Sequence, residues 1–306
     1  MNRLVVVHAH PDDESLTTGA LLATWARAGG ATTVVTCTRG ERGEVIGASL
    51  AHLEGDGPAL AAHRVGELAA ALAALGVDDH VFLDEVPGDS TDGFEDSGMA
   101  WVAAQQAGLS DDVPARAFVG VDLEDAARRL AHVLRDRGAA VVATYEPGGG
   151  YGHPDHVRTH EVTRRALDLV EPRPVLLVAV HGEDALRRAY ASLALRERGD
   201  DELRVPDDDG PLPSVAVTDD QRDVEVDVLP VRDQVLAALR AHATQVQAVE
   251  AIDGDPALVG CYALSNRLLA PLLPVESYRT EESGVSGAEP PPAAAVVWPP
   301  GVRPIP

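Results

Sequence analysis

Along the first 180 positions, apolar residues recur with two alternating periods. The β-branched run from Leu4 to Val7 predicts a short, buried strand. Leu21, Leu22, Trp25 and Ala28 then follow at helical spacing, predicting a helix over 14–28 that Gly29 and Gly30 close. Residues 33–37 predict a second strand. Val65, Leu68, Leu72 and Leu75 mark one face of a helix over 61–75, stopped by Gly76. Residues 81–83 predict a third strand, and 123–137 a helix with Leu130 and Leu134 inward and Gly138 after it. A fourth strand over 140–144, a helix over 159–170 and a fifth strand over 175–180 complete the series. Strand and helix alternating at this spacing predict an α/β fold with a doubly wound, mostly parallel, Rossmann-like sheet.

The second part of the chain is less regular. Residues 200–213 are acidic and Pro-rich, and 85–98 are rich in Asp and Gly, so both predict loops. Residues 223–228 alternate as a half-buried strand. Val235, Leu239 and Val246 on one side predict a long amphipathic helix over 231–250. Beyond Glu281, Pro and small residues dominate, including Pro290-Pro291-Pro292 and Pro299-Pro300, which predicts an extended or disordered tail that buries no core. The organisation expected is a Rossmann-like core over 1–180, an α+β portion packed on it over 181–280, and a Pro-rich tail over 281–306.

Charge narrows the partners. The formal net charge is −24, which argues against nucleic acid and against an anionic membrane surface. All 25 cationic side chains are Arg; without Lys, Schiff-base and P-loop chemistry are excluded. Cys37 and Cys261 are too few for a disulfide scaffold, though a single bridge stays open. No basic-then-apolar leader opens the sequence, and no stretch nears the roughly 20 apolar residues of a membrane span. A soluble, cytoplasmic protein is expected.

Two short segments carry the chemistry. His10-Pro11-Asp12-Asp13-Glu14 follows the first predicted strand, and Tyr151-Gly152-His153-Pro154-Asp155-His156 follows the fourth. Ligands of open α/β sheets bind at that strand edge. Asp-Asp-Glu opening a helix is explained by capping and the helix dipole alone. His directly before Pro-Asp-Asp, matched by a second His-Pro-Asp far away, points instead to one metal site assembled by the fold. His10 and Asp13 are ligand types that zinc accepts, and His156 could complete a His/His/Asp set with open positions for water and substrate. The same set suits Fe(II). The run Pro147-Gly148-Gly149-Gly150 permits a tight turn into that site.

With these motifs the sequence resembles the LmbE/PIG-L family of zinc-dependent N-deacetylases. The likeness extends from residue 1 to about Tyr278. It includes Gly43-Glu44-Val45-Ile46-Gly47, Arg64-Val65-Gly66-Glu67-Leu68, Asp96-Ser97-Gly98-Met99, Ala241-His242-Ala243-Thr244-Gln245-Val246 and Ala263-Leu264-Ser265-Asn266. These segments are most similar to the mycothiol-pathway branch, which removes acetate from N-acetylglucosaminyl-inositol. The resemblance implies that His10, Asp13 and His156 are zinc ligands and Asp12 the general base. It implies that Tyr151 and a protonated His153 stabilise the oxyanion, and that Arg64 and Asp96 bind sugar or inositol hydroxyls. Asp155 would orient His153 or another imidazole, and Glu14 is a weaker supporting candidate. The proton for the leaving amine comes from His153 or from Asp12; the residues leave this open. Residues 84–95 are longer than the family's usual spacing, and Thr17 stands near where the related amidase of mycothiol S-conjugates carries Lys.

Three readings compete with the inositol-sugar deacetylase. Two are enzymes: the conjugate amidase and a deacetylase of another N-acetyl amino sugar. The third is a non-catalytic carbohydrate-binding module, which would not need Asp12, Tyr151 and His153 beside the ligands. A nucleotide-binding dehydrogenase fails, because no Gly-x-Gly-x-x-Gly follows the first strand. The partner expected is a small amino-sugar substrate, with neither nucleic acid nor membrane; the oligomeric state is not legible.

Overall fold

The protein is described here from a computed structural model, which covers residues 2–89, 93–103, 106–196, 203–281 and 296–305. Strand β1 (Leu4–His8) leads into a short helix α1 (Asp13–Thr17) and then α2 (Gly19–Arg27). The single helix predicted over 14–28 is thus two. The break falls at Thr18, which donates its hydroxyl to the Glu14 carbonyl (3.2 Å) while pairing with His8 Nε2 (2.9 Å). Strand β2 (Thr32–Thr36), helix α3 (Gly57–Leu75) and strand β3 (Asp79–Phe82) follow. Asp56 caps α3 by accepting the Ala59 N–H, and Gly76 ends it in the left-handed conformation.

An antiparallel ribbon, β4 (Met99–Ala103) with β5 (Gln106–Leu109), was not foreseen. Helix α4 (Leu123–Arg137) runs as predicted, capped by Asp122 and ended by Gly138. Strand β6 (Val141–Tyr145) passes through a broken turn α5 (Gly149–Gly152) into helix α6 (Pro154–Leu167). This helix begins five residues earlier than predicted, so His-Pro-Asp-His is a helix start and not a loop. Pro154 at the first helical position is the signal for it.

Strand β7 (Val175–Gly182), helix α7 (Glu183–Ala194), strands β8 (Ala216–Val217) and β9 (Val224–Asp227), and helix α8 (Arg232–Ala241) come next. Helix α8 stops well short of the predicted residue 250. The Glu67 carboxylate accepts both the N–H and the hydroxyl of Thr244 (2.8 and 2.6 Å), and His242 turns inward, so tertiary polar contacts override the apolar periodicity. A small antiparallel sheet, β10 (Gln247–Ala251), β11 (Gly260–Ala263) and β12 (Leu269–Leu272), then precedes β13 (Val275–Thr280) and β14 (Val302–Pro304).

The main sheet has the order β14-β9-β13-β7-β6-β1-β2-β3, with β8 beside β7. From β7 to β3 it is parallel; β13, β9 and β14 extend it antiparallel. Strand β1 is buried on both faces. Leu4 and Val6 join Leu21, Trp25 and Leu68 on one side, and Val5 and Val7 join Leu130, Leu134 and Val162 on the other. The tail expected to bury no core corrects itself at its end: β14 pairs with β9, Val296 and Val302 are buried, and Trp298 packs edge-on against Trp25. Pro290-Pro291-Pro292 lies outside the described residues. Cys37 and Cys261 are both buried, and they are not joined to each other in a disulfide. Among the described residues no helix is long and apolar enough to cross a membrane.

Candidate active site and metal centre

Strand β1 hydrogen-bonds to β2 on one side and to β6 on the other. The connections leaving β1 and β6 therefore diverge, and a crevice opens at their C-terminal ends. His10 lies two residues past β1, and His153 and His156 open α6 just beyond β6. The fold thus joins the two motifs, 145 residues apart at His10 and Asp155, in a single hydrogen bond. The chain reaches α6 through Gly149, whose φ of +70° suits glycine. A Cβ there would lie 2.9 Å from the Cβ of His156.

The ring nitrogens of His10, His153 and His156 approach within 4.8 Å of one another. Asp13 touches two of these rings: its Oδ2 is 3.3 Å from His10 Nδ1 and its Oδ1 is 3.2 Å from His156 Nε2. Hydrogen bonds decide which rings offer lone pairs. His10 Nε2 donates to the Asp155 carboxylate (3.2 Å), which leaves Nδ1 open towards Asp13. His156 Nδ1 donates to the Gly149 carbonyl (3.1 Å), which leaves Nε2 open; that atom is buried and without a hydrogen-bond partner. His153 is the reverse. Its Nδ1 accepts the Asp155 N–H (3.2 Å), so the neutral ring carries its proton on Nε2 and is a donor there.

The charges around the cluster favour a cation at this place. Burial works against the Asp13 carboxylate, but His156 and His10 outweigh it and hold its pKa well below the usual range. Burial also opposes the His10 cation, yet Asp96, Asp13 and Asp155 raise its pKa well above 6.5. An ionised carboxylate beside an orphaned imidazole nitrogen, all buried, fits a divalent cation. His10, Asp13 and His156 could hold it. His153 is held neutral: burial lowers its pKa well below 6.5, helped by His10 and His156. This direction runs against the protonated His153 expected from the resemblance.

Asp12 occupies the N-cap position of α1, but its side chain makes no cap bond. Its backbone is strained, with φ 115° and ψ −34°. Three neighbours hold it. Glu14 Oε2 accepts the Asp12 N–H (3.0 Å), and Arg64 Nη2 donates both to the Pro11 carbonyl (2.5 Å) and to Asp12 Oδ1 (3.2 Å). Glu14 is fixed in turn by His242, whose Nε2 lies 2.7 Å from Oε1 with both side chains fully buried. Burial opposes both charges, yet the pairing lowers the Glu14 pKa and raises that of His242. For Asp12 itself, burial is the largest influence; it outweighs Arg64 and pushes the pKa up to about 7.

The remaining predicted residues gather at the same place. Asp155 accepts from the Ser97 N–H and hydroxyl (2.9 and 2.5 Å) and orients His10 through its carboxylate, touching His153 only through its backbone N–H. Tyr151 stands edge-on to His156, with ring centroids 5.2 Å apart, and stacks on Trp101 of β4. Burial raises its pKa well above 10, so it keeps its proton. Arg64 is buried and donates its other terminal nitrogen to the Gly40 carbonyl (2.8 Å). Asp96 accepts the N–H groups of Gly98 (2.8 Å) and Arg42 (3.2 Å). Both line a polar recess of about 80 Å³ with Asp12, His10, His153 and Gln245.

Sequence reasoning gave no role to Tyr145, Ser97, Trp101 or His242. Tyr145 stacks flat on His156 (4.1 Å, 8°) and accepts the Ala9 N–H on its hydroxyl (2.9 Å). Its position at the end of β6 was the available signal. Ser97 and His242 both sit inside segments that carried the resemblance; Trp101 had no signal.

The family model described as GlcNAc-PI de-N-acetylase, PIG-L, matches residues 5–167, more than half of the chain. The chain belongs to the PIG-L family. Among curated PIG-L relatives, the 1D-myo-inositol 2-acetamido-2-deoxy-alpha-D-glucopyranoside deacetylase of Kineococcus radiotolerans is 47% identical over 298 residues, covering 93% of this chain and 78% of that one. Proteins of the same name from Mycobacterium sp. (strain KMS) and Streptomyces griseus are 43% and 41% identical, each covering 90% of this chain and 82% of its own.

Proposed function

We propose that this protein hydrolyses the acetamide of 1D-myo-inositol 2-acetamido-2-deoxy-alpha-D-glucopyranoside, releasing acetate and the free amine in mycothiol biosynthesis. The observation that carries this reading is the 47% identity to a deacetylase of that name over 93% of the chain. The His/Asp cluster supports it by fitting amide hydrolysis at a metal centre. His10 through Nδ1, Asp13 and His156 through Nε2 would hold the ion, with zinc the best match to two imidazoles and a carboxylate. When bound, it would polarise the amide carbonyl and acidify water beside it.

The chain's own groups do the rest. Asp12, with a pKa near 7, takes a proton from water as that water adds to the carbonyl carbon. The Tyr151 hydroxyl and the neutral His153 Nε2–H donate to the oxyanion. Collapse breaks the C–N bond, and the amine leaves with a proton. His153 holds no spare proton, since losing its Nε2–H would leave an imidazolate. The protonated Asp12 carboxyl is therefore the acid, returning the proton it took. Arg64 and Asp155 act as positioning residues, Arg64 on Asp12 and Asp155 on His10. Asp96 and the rest of the polar recess face the hydroxyl-bearing part of the substrate.

The test is release of the free glucosamine amine by zinc-loaded protein from the inositol disaccharide, from N-acetylglucosamine and from a mycothiol S-conjugate. The disaccharide should have the highest kcat/KM. Equal rates on both sugars would remove the inositol assignment, and faster cleavage of the conjugate would transfer the reading to an amidase.

A further inference from the structure

A second cavity, of about 190 Å³, adjoins the polar recess. Asp13, Trp101 and Tyr151 line both, so the Trp101–Tyr151 stack (5.5 Å, 25°) stands at the junction. The two spaces differ in chemistry. The recess holds His10, Asp12, Arg64, Asp96 and Gln245, whereas the second cavity is walled mainly by apolar and aromatic side chains such as Leu186, Tyr190, Tyr262, Leu269 and Ala270, with Glu146, His181 and Glu276 also on its lining. His156 reaches only the second. An amide placed beside Asp13 and Tyr151 would therefore have a polar space on one side and an apolar one on the other. Its substituents are a polyol amine and an acyl chain, and they sort by the same polarity. A single water-sized group needs only about 10–15 Å³, so the second cavity holds far more than the methyl of acetate.

We propose that this apolar cavity is an acyl subsite, and that the protein hydrolyses glucosamine amides of straight-chain acyl groups longer than acetyl. The proposal rests on the deacetylase reading above. The reaction is unchanged: water adds, the C–N bond breaks, and a longer carboxylate leaves with the amine. Each buried methylene contributes about 0.8 kcal/mol, or roughly fourfold.

The experiment compares N-acetyl-, N-butyryl- and N-hexanoyl-glucosaminyl-inositol with zinc-loaded protein, reading free amine. The butyryl amide should exceed the acetyl amide in kcat/KM by roughly 15-fold. Ala270→Phe, which fills the cavity from β12, should bring the ratio of butyryl to acetyl kcat/KM down to about one. Free hexanoate should inhibit acetyl hydrolysis roughly 200-fold more strongly than acetate, a measurement that needs no variant. Acetyl hydrolysis with butyryl and hexanoyl amides inert, or hexanoate no better than acetate, would overturn the subsite and leave the deacetylase reading intact. An inert acetyl amide alongside cleaved longer amides would instead overturn the deacetylase reading and keep the subsite.

Discussion

Arg64→Gln separates two roles for one residue. The family resemblance implies that Arg64 binds a substrate hydroxyl. Its contacts point inward instead, to the Pro11 and Gly40 carbonyls and, at 3.2 Å, to Asp12. Among the groups that lower the Asp12 pKa, Arg64 is the largest. An adjacent guanidinium is worth roughly 1–3 pKa units to a carboxylate. Its loss raises Asp12 by that amount, because the charged base has lost its nearest cation. The base then needs a higher pH to be deprotonated, so the acid limb of kcat/KM moves up by about 1–3 units. For a limb starting near 7, one to two units mean a roughly 5- to 50-fold loss at pH 7, recovered above the new limb. Arg64→Lys, which keeps the charge without the fork, should hold the limb nearer its original place. The assay is the pH profile of kcat and KM for both variants with metal content measured. An unmoved limb with a raised KM would refute this reasoning and return Arg64 to hydroxyl binding.

Other substitutions probe the rest of the site. His156→Ala should lower bound zinc and activity together, and full zinc content in that variant would exclude it as a ligand. Asp12→Asn should retain zinc while kcat falls by roughly 10²–10⁴-fold; zinc lost with it would make Asp12 a ligand. Gly40→Ala places a Cβ 2.0 Å from Arg64 Nη1 at a φ of +66°, so it should lower Tm by the equivalent of roughly 1–3 kcal/mol and cut activity; an unchanged Tm would show that Arg64 is not confined there. Burial pushes Glu276 up to about 7, despite accepting from Ala20, Leu21 and Tyr278. The folded carboxyl keeps a proton that the unfolded chain has lost. Its contribution to stability is thus full below about 4.5 and lost as pH rises through about 7. Glu276→Gln should remove that decline from a plot of Tm against pH, and parallel plots for the two proteins would contradict it.

Much of the protein was legible in the sequence because its signals are local. The five β-branched strands and the helix ending at Gly138 were read from residues whose neighbours along the chain carry the pattern. That His10, Asp13 and His156 meet at one place was legible because strand ends followed by His and Asp concentrate such side chains at one sheet edge. The errors fall where distant polar groups intervene. Thr18 splits a helix through His8, and Glu67 ends another through Thr244. The terminal strand was hidden by its Pro-rich approach, since its burial comes from β9 and Trp25, both far away in sequence.

Which side chains could make the site was thus written in the sequence; what each one can do there was decided by the fold. Composition cannot say that Asp155 turns to His10, that a backbone N–H occupies His153 Nδ1, or that Gly149 accepts from His156. Those bonds cross the crevice between β1 and β6 or close on the first turn of α6, and they set each tautomer. The strained Asp12 backbone and the Glu14–His242 pair behind it likewise exist only once α8 packs beside α1. A lone pair, a proton and a pKa are properties of surroundings, and only tertiary structure supplies those.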